Sequence, residues 1–275
     1  MADSPRIPPA VVAKRFACDE LEFVGRGGQS DVWRAVRDGA EEVLRILVAV
    51  NDPRRVEHEV SALQAIDNPH LMAFYGLGEI AHNGKRHPVI RGEFIRGGTA
   101  ADRIDSDEWP DVRGALCLAR GTLTALAALH EADLVHRDIK PGNIALRDGD
   151  WDSAVVLDLG YVRNLAAPPI TVYPQRIGTV PFMAPEQLML QPAALRSDVY
   201  AVGIVLYLLL TRRHPFLDGD EEIPLDEYLG RMDSPDWPRW DDVPHADLVG
   251  PLLAWNPHAR PRSRRALADF EEVLA

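Results

Sequence analysis

The hydrophobic positions change their period about a third of the way along the chain. From about Leu21 to Ile95, runs rich in β-branched and aromatic residues predict strands at Phe23-Val24, Asp31 to Val36, Val43 to Val48, Met72 to Leu77 and Val89 to Ile95. One interval departs from that pattern. Arg55 to Ile66 carries Val56, Val60, Leu63 and Ile66 near helical spacing and predicts a helix. From Asp111 onward the helical period takes over, with Leu116, Ala119, Leu123, Leu126 and Leu129 on one face. The most apolar run, Val199 to Leu210, is too short to cross a bilayer and suits a buried helix. Arg96-Gly97-Gly98 is the natural joint between the β-rich and helical parts.

Composition changes this picture little. At 275 residues, 46% hydrophobic and 26% charged, the chain has ample core for one large domain or two small ones. A net charge of -12 argues against nucleic-acid binding, because phosphate backbones demand a basic surface. The two cysteines, Cys18 and Cys117, are too few for a disulfide framework and fit a reducing compartment. The N-terminal stretch has no apolar region of the secretory kind. With no spanning segment read, the expectation is a cytoplasmic protein without a membrane partner.

Chemistry enters with His136-Arg137-Asp138-Ile139-Lys140-Pro141-Gly142-Asn143. Asp138 can take a proton from a hydroxyl nucleophile, Lys140 can neutralise a transferring phosphoryl group, and Asn143 can offer a carboxamide oxygen to Mg²⁺. Asp158, at the end of the apolar run Val155-Val156-Leu157 and followed by Leu159-Gly160, is a second candidate ligand for Mg²⁺. The glycine-rich stretch Gly25-Arg26-Gly27-Gly28-Gln29-Ser30-Asp31-Val32 follows a short strand. Its backbone amides could approach phosphates closely, with Val32 covering a base. Read by itself it is equally a hairpin turn. Gly178-Thr179-Val180-Pro181-Phe182-Met183-Ala184-Pro185-Glu186 completes the set, and Glu186 needs a buried cationic partner, for which Arg260 is the candidate.

Over about residues 16 to 274 these motifs resemble the bacterial, eukaryotic-like Ser/Thr protein kinases. The resemblance implies an α+β, two-lobed kinase fold. A small antiparallel β-sheet lobe with one helix would cover about 16–95, and a larger, mainly helical lobe 96–275. It implies ATP and Mg²⁺ as nucleotide and metal, protein substrates, autophosphorylation, and allows a homodimer. On this reading Asp138, Lys140 and Asn143 are catalytic, and Asn143 with Asp158 holds the metal. Gly25, Gly27, Gly28, Val32, Val43, Arg45, Glu59, Glu93 and Ile95 form the ATP site, the last two in the hinge. Asp198, in Ser197-Asp198-Val199-Tyr200, is expected to hold the catalytic-loop backbone, and Gly178 to Glu186 to form the substrate-docking loop. Leu63, Phe74, His136 and Leu159 match the family's stacked apolar column, and equally suit plain core packing. Lys140 and Thr179 point to Ser/Thr rather than Tyr substrates, and Ala184-Pro185-Glu186 argues against small-molecule kinases.

The chain departs from the family pattern at one place above all. Its only lysines are Lys14, Lys85 and Lys140, so the strand lysine is missing and Arg45 stands there. Arginine keeps the charge but is longer and prefers a bidentate carboxylate, so it could clamp Glu59 and still misplace the phosphates. The alternative reading is therefore a pseudokinase that binds nucleotide with weak or no transfer. Gly92 and Ala145 predict extra apolar room near the base, unless Met72 or Ile90 fills it. Thr171, Thr179 and Arg137 are the regulatory candidates. A phosphate on Thr171 could be captured by Arg137, or Thr171 is simply solvated loop, while Thr179 would contact the catalytic pair.

Overall fold

The computed structural model describes residues 4–28, 30–49, 53–159, 162–165, 178–219 and 223–275. They divide into two compact units, Met1–Asp67 with Met72–Ile95, and Asn68–Leu71 with Arg96–Ala275. The division after Ile95 coincides with the Arg96-Gly97-Gly98 joint. Gly97 has φ +113°, and a Cβ there would collide with the Gly149 amide and the Leu146 carbonyl, so a glycine is required.

The small unit opens with helix α1 (Pro9–Phe16), followed by strands β1 (Glu20–Arg26), β2 (Ser30–Arg37) and β3 (Ala40–Leu47), helix α2 (Pro53–Ala65), and strands β4 (Phe74–His82) and β5 (Lys85–Gly92). The strands form one antiparallel sheet ordered β1-β2-β3-β5-β4. Register fixes which side chains share a face. Trp33 lies opposite Leu44, so Trp33, Ala35, Leu44, Ile46 and Val89 point to one side, where Ile7, Val12 and Phe16 seal them from water. Phe23 packs edge-on against Trp33 with ring centroids 5.0 Å apart. Burying each of the larger side chains contributes about 1.5–3 kcal/mol. Five strands and one helix in this unit are what the sequence pattern predicted; the N-terminal cover is not. Helix α1 was not read from the sequence, and the compact unit takes in residues well before 16, where the small lobe was placed.

Val32, Val43 and Arg45 share the opposite face, Arg45 lying between Val32 and Ile90. Strand β5 ends at Gly92, short of the predicted Ile95, and β4 starts at Phe74 rather than Met72. The predicted room beside Gly92 is taken. A Cβ there would sit 2.8 Å from the Ala73 carbonyl oxygen and 3.0 Å from the Met72 methyl, so Met72 and not an empty space lines this position.

The large unit contains α3 (Ala100–Asp105), α4 (Val112–Glu131), the short strands β6 (Leu134–Val135), β7 (Ile144–Leu146), β8 (Ala154–Val156) and β9 (Arg163–Asn164), and helices α5 (Pro185–Leu188), α6 (Leu195–Thr211), α7 (Leu225–Asp233), α8 (Ala246–Leu252) and α9 (Ser263–Leu274). Asp111 caps α4 by accepting from the Gly114 amide at 2.7 Å. Helix α4 is long and apolar enough to span a bilayer, yet two thirds of it is buried against protein. Apolar nearly all round, α6 is the central helix, and Gly203 lets α8 approach: a Cβ would lie 2.9 Å from the Leu252 Cβ. β6 pairs with β9 and β7 with β8, and the stretch from His136 to Asn143 runs between β6 and β7.

Candidate active site

The loop from His136 to Asn143 is held from below by one buried carboxylate. Asp198, near the start of α6, accepts the His136 amide on Oδ2 and the Arg137 amide on Oδ1, each at 2.8 Å. Two successive amides on one carboxylate fix the backbone where Arg137 turns through φ +72°, a conformation that costs a side-chain-bearing residue about 1–2 kcal/mol. Asp198 Oδ2 is also bonded to His130 Nε2 of α4 at 2.9 Å, and His130 Nδ1 to the Ser263 hydroxyl of α9 at 2.9 Å. The His136 ring adds a second anchor. Its Nδ1 accepts the Asp138 amide at 3.3 Å, so the proton sits on Nε2 and is donated to the Leu157 carbonyl at 3.0 Å.

Asp138 thus arrives with its carboxylate placed and buried. Its Oδ1 accepts the Thr179 hydroxyl at 2.9 Å. Its Oδ2 accepts Asn143 Nδ2 at 2.9 Å and lies 2.9 Å from Lys140 Nζ. Lys140 Nζ in turn donates to the Thr179 hydroxyl at 2.6 Å. Asn143 Nδ2 also donates to the Asp138 carbonyl at 2.8 Å. With its NH₂ committed to Asp138, the amide turns Oδ1 the other way. The β7–β8 ladder pairs Ile144 with Val156, and the Leu157 amide bonds to the Asn143 carbonyl at 2.9 Å, so Asn143 and Asp158 stand at the same end of that ladder. Asp158 adopts φ +53°, which an aspartate tolerates better than most residues.

The segment from Gly178 to Glu186 reaches this loop through Gly178, at φ +119°. A Cβ there would lie 2.6 Å from the Arg137 carbonyl oxygen, so the close pass requires glycine. The segment is then pinned by four side chains. The Pro181 carbonyl accepts His214 Nε2–H at 2.8 Å and the Tyr228 hydroxyl at 2.9 Å. Glu186 meets Arg260 as a buried fork, with nitrogen–oxygen distances of 2.8 and 2.9 Å, and accepts the Ser197 hydroxyl at 2.6 Å. Arg260 also donates to the Ala254 and Trp255 carbonyls and stacks 4.5 Å over the Tyr200 ring. Desolvation lowers the His214 pKa to about 4, so the ring is neutral at physiological pH. Burial pushes the Tyr228 phenol up.

In the small unit, Arg45 and Glu59 form an ion pair, their side chains 12% and 3% exposed. Gly25 pairs with Val32 across β1 and β2, and the Gly27 amide closes the turn onto the Ser30 carbonyl at 2.8 Å. The Glu93 amide bonds to the Ala73 carbonyl at 2.8 Å, and Glu93 and Ile95 follow the end of β5. Thr171 lies outside the described residues. The structure therefore brings Asp138, Lys140, Asn143 and Thr179 into direct contact, and Arg45 with Glu59. His130, Ser263, His214 and Tyr228 were not read from the sequence as parts of this framework. No local motif marks them, because each acts across a long sequence separation.

The family model described as "Protein kinase domain" matches residues 18–270. Serine/threonine-protein kinase PknL of Mycobacterium bovis is 35% identical over 264 residues, covering 91% of this chain and 64% of the relative. PknB of Mycolicibacterium smegmatis is 33% identical over 252 residues, with 87% and 40% covered. PrkC of Bacillus subtilis is 30% identical over 228 residues, with 80% and 34% covered. The chain thus spans about a third to two thirds of the length of these relatives. Sheet, central helix, loop geometry and these matches agree: the chain belongs to the protein kinase family, among relatives that are bacterial serine/threonine kinases.

Proposed function

We propose that the protein transfers the γ-phosphoryl group of ATP to serine and threonine hydroxyls of protein substrates, itself included, with Mg²⁺. The observation that carries this reading is the Asp138–Lys140–Asn143–Thr179 cluster, a buried carboxylate with a cation and a hydroxyl already bonded around it. Asp138 accepts the proton of the incoming hydroxyl, in the position where it now accepts that of Thr179. Lys140 faces the same point and offsets negative charge on the moving phosphoryl group.

Hard oxygen donors suit the metal. Among the described residues no group of three or more His, Cys, Asp or Glu could hold one. Asn143 Oδ1, turned away from Asp138, and the Asp158 carboxylate would supply the protein ligands, with phosphate oxygens completing the shell. Bound there, Mg²⁺ would supply charge neutralisation between the phosphoryl groups. The glycine turn at Gly25, Gly27 and Gly28, with Val32, Val43, Arg45, Glu59, Glu93 and Ile95, is assigned to the nucleotide. Arg137 is assigned to capture of a phosphate on the segment carrying Thr171. The free thiols of Cys18 and Cys117 support a reducing, cytoplasmic setting.

One observation favours a second reading. Arg45 is engaged by Glu59, so its fork serves the helix carboxylate and phosphate capture suffers; the protein then binds nucleotide and signals without efficient transfer. Label transfer from radioactive ATP by the wild type and by Asp138→Asn separates the two. Transfer that falls by about 10²–10⁴-fold in the variant supports the kinase. Tight ATP binding without transfer in the wild type supports the second reading. Arg45→Lys then reports whether arginine limits the rate or the site is built around it.

A further inference from the structure

We infer that Arg6, in the segment before the sheet, is a positioning residue for the glycine-rich turn; this rests on the nucleotide reading above. Asp31 follows the turn on the inward face of β2, the face of Trp33 and Ala35, and is 0% exposed. A carboxylate in that position needs partners. It finds them in the N-terminal segment: Asp31 Oδ2 accepts the Arg6 amide at 2.6 Å and the Ile7 amide at 3.2 Å, and Oδ1 accepts Arg6 Nη1 at 3.2 Å. The other end of the same guanidinium reaches the turn itself. Arg6 Nη2 donates to the Gly27 carbonyl at 2.9 Å and to the Gly28 carbonyl at 3.2 Å.

This geometry sets the direction of an amide. In a trans peptide the carbonyl and the next N–H point oppositely, so holding the Gly27 carbonyl on Arg6 aims the Gly28 N–H away from it. Glycines choose this orientation freely and would otherwise sample others. Arg6 is itself anchored, since Ile7 is buried in the core with Val12, Phe16 and Trp33. Residues 4–16 therefore act as a brace that pre-orders a phosphate-facing donor, and the arginine fork is what lets one side chain hold both Asp31 and the turn.

The test is steady-state kinetics with varied Mg·ATP and hydrogen exchange of peptides covering residues 25–32, on wild type, Arg6→Ala and Arg6→Lys. Arg6→Ala is expected to raise the KM for ATP by about 5–30-fold, a loss of one or two charge-assisted contacts, with kcat changed less than about 2-fold. Exchange at 25–32 should quicken by a similar factor. Arg6→Lys should keep the melting temperature, because an ammonium still neutralises Asp31, yet share the raised KM and the faster exchange. If Arg6→Ala does not fold, Arg6→Lys alone decides. Unchanged exchange at 25–32 in the variants overturns the inference, as does a loss confined to kcat. Should the wild type show no transfer, the kinase reading fails on its own and exchange still decides the role of Arg6.

Discussion

Acidification should loosen the docking segment through one ring. His214 donates to the Pro181 carbonyl and its pKa falls from 6.5 to about 4 in the folded protein. Between those values the unfolded chain binds a proton that the folded chain does not, so stability falls as pH drops from about 6.5 towards 4 and levels off below. From pH 7.5 to pH 5 the unfolded ring gains about 1.5 pH units of protonation free energy while the folded ring gains almost none. That difference is about 2 kcal/mol, an upper figure because His214 is only partly buried. Urea unfolding followed by tryptophan fluorescence, at pH steps from 7.5 to 5, would be compared between wild type and His214→Gln. The glutamine keeps a donor for Pro181 but does not titrate. Carboxylates common to both proteins cancel in the difference, so the two stability curves should converge by about 2 kcal/mol on going to pH 5. Parallel curves would refute the reasoning and place the ring in water-like surroundings.

Other perturbations follow from the same contacts. Arg260→Ala strands the Glu186 carboxylate in the core and should cost about 3–5 kcal/mol in urea unfolding. Arg45→Met should cost the small unit a similar amount, about 3–5 kcal/mol, by removing the cation of its ion pair with buried Glu59, whereas Arg45→Lys should retain most of it in the same measurement. Gly178→Ala places a Cβ against the Arg137 carbonyl and should lower kcat by about 5- to 150-fold, from about 1–3 kcal/mol of backbone strain, with little change in ATP affinity by calorimetry. Asp198→Ala removes the acceptor of the His136 and Arg137 amides, so exchange at residues 136–137 should rise sharply and kcat should fall by about 10–100-fold.

Much of this was legible because it is local. The β-branched and aromatic runs from Asp31 to Val36 and from Val43 to Val48 placed β2 and β3, and the loop from His136 to Asn143 carried its chemistry in consecutive residues. The Glu186–Arg260 pair was readable because a buried acid in a known segment demands a cation. What escaped was non-local or weakly patterned. Helix α1 spans only eight residues and begins with a proline, so its apolar period is too brief to stand out. Asp31 interrupts an otherwise apolar face of β2, a signal that something must cover it, but the sequence does not say that Arg6 does. The room beside Gly92 was left open between empty space and filling by Met72 or Ile90, and the flexible Met72 just before β4 takes it, a choice that depends on side-chain packing and not on pattern.

The anchors named for the catalytic loop, Asp198, His130, Ser263 and Leu157, all belong to the large unit. The hydrogen bonds named for that loop therefore involve no residue of the sheet that carries the glycine turn. A substitution in the sheet, as at Arg45, leaves each of these hydrogen bonds in place, so the position of the Asp138 carboxylate should outlast changes made in the small unit.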